Sequence, residues 1–160
     1  MADYPTKQFM GSAQTVINTA TDIAAGNFSG APAATFTNND ATVPNAPYAL
    51  AMAEFPDWGA APVAGTTVDL YGVLKDTDGT DDDTDAPATT VVGGARYFGS
   101  WVIAGVDALQ RRTIVISLEG IIDGIDVDFY TMNRTAQNMN NDGGTNHVVK
   151  ITPFTYGITV

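Results

Sequence analysis

Thr66-Thr67-Val68-Asp69-Leu70-Tyr71-Gly72-Val73-Leu74, followed beyond an acidic run by Arg96-Tyr97-Phe98-Gly99-Ser100-Trp101-Val102-Ile103, is the stretch that decides the fold. In the first segment every second residue is apolar, which places Val68, Leu70 and Leu74 on one side of an extended chain. The second segment resumes the same period after Asp76-Thr77-Asp78-Gly79-Thr80-Asp81-Asp82-Asp83-Thr84-Asp85. A period of two broken by Gly and Asp predicts antiparallel β structure.

Working outward, Tyr48–Phe55 reads as a strand ended by Pro56-Asp57, and the same period recurs in Arg112–Leu118, Ile125–Asn133 and Asn146–Phe154. Ile114/Ile116/Leu118, Val127/Phe129 and Val149/Ile151 mark an inner face, with Asp126, Asp128 and Lys150 on the opposite, half-solvated side. Asp123-Gly124 between Ile122 and Ile125 reads as a two-residue hairpin, and Asn140-Asn141-Asp142-Gly143-Gly144 as a tight connection. Ser12 to Ala25 fits two templates. Val16, Ala20 and Ile23 form a helical stripe, but Thr15-Val16-Ile17-Asn18-Thr19 is rich in β formers, and a strand is the preferred reading. Residues 1–45, poor in large apolar side chains and punctuated by Pro and Asn, read as an extended N-terminal arm rather than a packed element. The expected architecture is all-β: an antiparallel sandwich or jelly roll over residues 46–160, within a single globular domain that includes the arm.

Composition narrows the function. At 160 residues the chain suits one domain and can bury roughly 70% of its unfolded surface without a covalent staple. Cysteine is absent, which excludes a disulfide framework and thiolate metal sites. Eighteen acidic residues against seven basic ones leave a net charge of −11, which repels phosphate backbones and argues against nucleic-acid binding. Membrane insertion is not expected, because no apolar run approaches the ~20 residues of a helical span. Met1-Ala2-Asp3-Tyr4-Pro5 has neither a charged nor an apolar export region, so no secretory signal is expected. The sequons at Asn27-Phe28-Ser29 and Asn133-Arg134-Thr135 then read as coincidental.

Groups that carry chemistry are sparse. Asp76, Asp78 and Asp81 supply hard oxygen atoms of the kind Ca²⁺ takes. The run lacks the third carboxylate before its Gly and the bidentate Glu of a calcium loop, so a solvated loop tip is the preferred reading and no cofactor is expected. His147 is the one histidine and stands at the start of a strand. With no Gly-x-Ser-x-Gly elbow to partner it, it reads as a strand-edge or turn residue. Neither a phosphate loop nor a paired-glutamate pattern is present, and a non-enzymatic protein is expected.

Aromatic residues crowd the C-terminal two-thirds. Alternation puts Tyr97, Trp101 and Ile103 on one face, while the neighbouring pairs Tyr97-Phe98 and Phe129-Tyr130 force one ring of each to the other face. Trp58, Phe98 and Tyr130 are thus candidate interface anchors, with coverage by the second sheet or by the N-terminal arm as the competing reading.

Residues 48–160 carry a resemblance as well. Trp58, Pro62-Val63-Ala64-Gly65-Thr66-Thr67-Val68-Asp69-Leu70-Tyr71, the Asp/Gly loop, Tyr97-Phe98-Gly99-Ser100-Trp101 and Asp128-Phe129-Tyr130-Thr131-Met132-Asn133-Arg134 resemble head decoration (cement) proteins of tailed bacteriophages. The closing Val149-Lys150-Ile151-Thr152-Pro153-Phe154 fits the same pattern. The resemblance implies a jelly-roll-like fold and a homodimer or homotrimer made in the host cytoplasm. Its partner would be the major capsid protein, on the outer surface of the virion. Two alternatives stand beside it: a tail- or collar-associated structural protein, and a carbohydrate-binding jelly roll using Trp58, Trp101 and the tyrosines.

Overall fold

The computed structural model describes residues 6–75, 94–123, 125–139 and 145–158, and among these every regular element is a β-strand. In chain order they are β1 (Thr6–Met10), β2 (Gln14–Thr19), β3 (Phe36–Thr37), β4 (Tyr48–Phe55), β5 (Thr67–Lys75), β6 (Arg96–Val102), β7 (Gln110–Ser117), β8 (Asp126–Asn133) and β9 (His147–Ile158). All pairings are antiparallel.

Two sheets result. In the first, β9 is flanked on one side by β4, which pairs onward to β7. On its other side β9 takes β1 along Phe154–Ile158 and β2 along His147–Ile151, so β1 and β2 make one row. The second sheet runs β3-β8-β5-β6. Counting that shared row once gives eight rows, ordered 1-8-3-6 and 2-7-4-5. First and last rows lie side by side, and the chain then steps between the sheets as a jelly roll does.

The core between the sheets is continuous. Trp101, Phe55, Phe129, Phe36, Ile116 and Ile151 are essentially inaccessible, and each such side chain contributes about 1.5–3 kcal/mol through its removal from water. Ala49, Ala51 and Ala53 line the inner side of β4, leaving room for Trp101, whose indole Nε1 donates to the Ala51 carbonyl at 3.1 Å across the sandwich. Gln14 of β2 closes one side of the sandwich: its amide donates to Thr37 O at 2.8 Å and accepts from Thr37 N at 3.2 Å.

Several expectations are corrected. Residues 6–45 are extended, but they are not a free arm. Val16, Ile17, Ile23, Phe36 and Val43 are core residues, and the backbone of 26–29 pairs with the end of β8 through Gly26 N–Asn133 O (2.8 Å) and Ser29 N–Thr131 O (2.7 Å). Small side chains hid this, because a few well-spaced anchors suffice once backbone pairing holds the segment. Ser12–Ala25 contains strand β2, as preferred. The turn at Ile122–Ile125 forms (Ile125 N–Ile122 O, 2.9 Å), but it joins β7 and β8 of different sheets and is no hairpin.

A bulge in the β5–β6 ladder between Leu70 and Tyr71 shifts the register, so Leu70 faces Gly99 while Tyr71 faces Tyr97. That slip sends Tyr97 outward, 54% exposed, and keeps Trp101 inside, against the single face expected for both. At Gly99 a Cβ would lie 2.8 Å from Ile114 Cδ1, so any side chain there would displace the tip of that isoleucine.

The outer side of the second sheet was expected to be half-solvated, yet Asp69, Tyr71, Val73, Asp128, Tyr130 and Met132 are all buried there. Phe28 and Tyr97 pack edge-on to Tyr71, at 5.4 and 5.6 Å between ring centroids. Asp128 is paired with Lys75 at 2.9 Å and accepts from Thr35 Oγ1 at 2.7 Å.

Candidate interaction surface

The outer side of the first sheet is built by alternation from β1, β9, β4 and β7, with Thr15 and Asn18 of β2 beside Lys150 and Val148. The registers define cross-strand rungs: Met10–Phe154–Tyr48–Ser117, then Thr152–Leu50–Val115, Lys150–Met52–Thr113 and Val148–Glu54–Arg111. Tyr156 lies beyond Phe154 on the same side. Met10 (41%), Tyr48 (42%), Tyr156 (59%) and Val115 (61%) are exposed, and Leu50 and Met52 are half-buried. Phe154 points outward too, but Tyr48 stacks on it at 5.8 Å and Tyr156 meets it edge-on at 5.5 Å, leaving it 2% exposed.

Strand β4 inverts the usual pattern. Its small alanines face the core, while Tyr48, Leu50 and Met52 face out. A strand selected only for solubility would do the reverse.

Acidic residues are scarce on this surface. Its rungs carry Glu54, Arg111 and Lys150, and Arg111 Nε holds Glu54 Oε1 at 3.0 Å. The chain has eighteen acidic residues, and this one, already paired, is the sole member on the rungs. The second sheet's outer side differs. There Asp69 accepts from Ser100 Oγ (2.6 Å) and Arg134 Nε (3.0 Å), and Arg134 Nη2 donates to the Tyr71 hydroxyl at 3.1 Å. These contacts with Tyr71 and Asp69 hold the guanidinium pKa above its ordinary value.

The three anchors read from the sequence are not brought together. Trp58 is buried against Phe55, Tyr130 is buried in the cluster around Tyr71, and Phe98 is half-buried, edge-on to Phe129 at 5.1 Å. The competing reading, coverage by the chain's own sheet and N-terminal segment, describes Trp58 and Tyr130. Trp58 and Trp101 therefore present no ring for a sugar to stack on. Asp76, Asp78 and Asp81 lie outside the described residues. Among the described residues no group of three or more His, Asp or Glu side chains is placed to hold a metal ion.

His147 is inside the sandwich, stacked on Phe55 at 5.3 Å. Its Nδ1 lies 3.0 Å from the Glu54 carbonyl and its Nε2 lies 2.9 Å from Thr131 Oγ1. A carbonyl only accepts, so Nδ1 carries the proton and Nε2 accepts from the threonine hydroxyl. Burial drives the imidazole pKa down from 6.5 to about 4, against the opposing pull of the Glu54 carbonyl. The ring is a neutral tie between the sheets, not a proton shuttle open to substrate.

Tyr48, Met10, Val115 and Tyr156 were not singled out from the sequence. The strand at Tyr48–Phe55 was legible, but a strand by itself does not say which parity faces water.

Comparison with known proteins is sparse. No protein-family model matches the chain, and no curated protein matches it. Among solved structures, the crystal structure of decameric BFDV capsid protein is similar over 96% of this chain and 99% of that one, at 17% identity and a TM-score of 0.31. The likeness is loose.

Proposed function

We propose that this protein is a non-enzymatic structural component of a virion, working by adhesion to other protein subunits. The observation that carries the reading is the eight-row jelly roll with one buried outer sheet face and one open, largely apolar face that is poor in acid. Jelly rolls serve in viral capsid and lectin domains, and here both tryptophans that a lectin would stack on sugar are inside. The resemblance of residues 48–160 to phage head proteins supports the same reading. In its specific form the reading is a decoration protein on the outer capsid surface, with the major capsid protein as partner. The net charge of −11 supports a place away from packaged DNA.

The test is co-sedimentation of the purified protein with mature, DNA-filled capsids lacking it, followed by thermal melting of the particles. Saturable binding and a higher capsid melting temperature are expected. Absence from the capsid pellet, together with recovery on isolated tails, would replace decoration by the tail or collar reading.

A further inference from the structure

We infer that the open face of the first sheet is the contact between two copies of this chain, packed face to face about a two-fold axis. The inference deepens the adhesive reading of that face by naming its partner, and it does not depend on the virion assignment.

Three observations select a second copy. The first is the inversion in β4, where Tyr48, Leu50 and Met52 are spent on the outside and alanines on the inside. A cover for those side chains regains the burial that the fold itself forgoes.

The second is charge. A foreign partner of an acidic protein is ordinarily steered by its own basic surface. Such a partner would find holds at Asp126 or Glu119, but on these rungs only Glu54, which Arg111 already neutralises. Two copies carrying −11 each repel through their acidic surfaces. They meet with least repulsion where each presents a neutral ion pair and Lys150. The end of the face around Met10, Tyr48 and Tyr156 carries no charge, and its matching surface on this molecule is the same end of a second copy.

The third is size. Four rows about 4.8 Å apart and some nine residues of β9, at about 3.4 Å each, make a face of order 600 Å² in projection. With side-chain relief this approaches the ~800 Å² per partner of a stable interface. Tyr48, Tyr156 and Met10 surround the buried Phe154 at its apolar end, and residues of these types anchor interfaces. A patch that contacts its own copy closes at two subunits.

The experiment is sedimentation equilibrium of the full chain, with no capsid present. Wild type is expected to have the mass of two chains at about 10 µM. Val115→Asp and Tyr156→Asp, both at exposed positions of the open face, are expected to give the mass of one chain with a melting curve as cooperative as wild type. Val102→Asp, at a position 59% exposed on the second sheet's edge strand, is expected to leave the dimer intact. A wild-type monomer at about 100 µM, a closed trimer, or dissociation by Val102→Asp as readily as by Val115→Asp would each overturn the inference. Loss of capsid binding with the dimer preserved would count against the virion reading alone.

Discussion

Acidification offers a clean test of how the two sheets are held together, because this chain has a single histidine and it is buried between them. In the unfolded chain His147 titrates near 6.5, whereas in the fold it resists protonation down to about 4. Between those values the unfolded state binds the extra proton. Stability is therefore full above pH 6.5, falls as pH drops towards about 4, and changes no further from this group below that. Two and a half units at 1.36 kcal/mol each set the whole effect at about 3 kcal/mol, of which about 2 kcal/mol is lost between pH 7 and pH 5. Asp40, whose pKa is lowered chiefly by the backbone N–H of Ser12, titrates below this window. Urea unfolding followed by tryptophan fluorescence at pH 7, 6 and 5 measures the loss. His147→Leu provides the control: at pH 7 it costs about 1–3 kcal/mol, because Thr131 and the Glu54 carbonyl lose their partner, but the dependence on pH should flatten. A wild-type stability that is level from pH 7 to pH 5, or a leucine variant with an unchanged slope, would refute the reasoning.

Three further perturbations test the packing. Removing residues 1–45 takes away Val16, Ile17, Ile23 and Phe36, each worth about 1.5–3 kcal/mol, and two of the eight rows. The remainder should lose its cooperative melt by circular dichroism, and a folded truncation would show that the segment is dispensable after all. Phe28→Ala opens the satellite cluster around Tyr71 and Tyr130, with an expected cost of about 3 kcal/mol by urea titration and faster amide exchange at Ser29. A change below about 0.5 kcal/mol would mean that the cluster is not packed as described. Gly72→Ala places a methyl 2.6 Å from Val127 Cγ1 and 2.7 Å from Phe98 Cε2, so it should destabilise by about 1–3 kcal/mol despite the better β propensity of alanine, and a stabilised variant would contradict the close approach of these side chains.

Fold class was readable along the chain because strands that bury one face impose a period of two, and Val68/Leu70, Ile114/Ile116, Val127/Phe129 and Val149/Ile151 keep it. Where the period misled, a long-range event intervened. The bulge opposite Leu70 and Tyr71 turned Tyr97 away from Trp101, and no property of Arg96–Ile103 taken alone encodes a slip against another strand. The N-terminal segment lacks a strong period, since its strands are short and its hold on β9 and β8 runs through the backbone, which composition does not report.

By itself, then, the sequence determined an acidic, cysteine-free, all-β chain with short antiparallel strands, because charge count and alternation are local properties. Only the tertiary structure decided which parity of β4 meets the core and which outward-facing rings are covered. Burial depends on what packs above a strand, so the alanines of β4 went inside, Tyr48, Leu50 and Met52 were left facing out, and Trp58 and Tyr130 were enclosed.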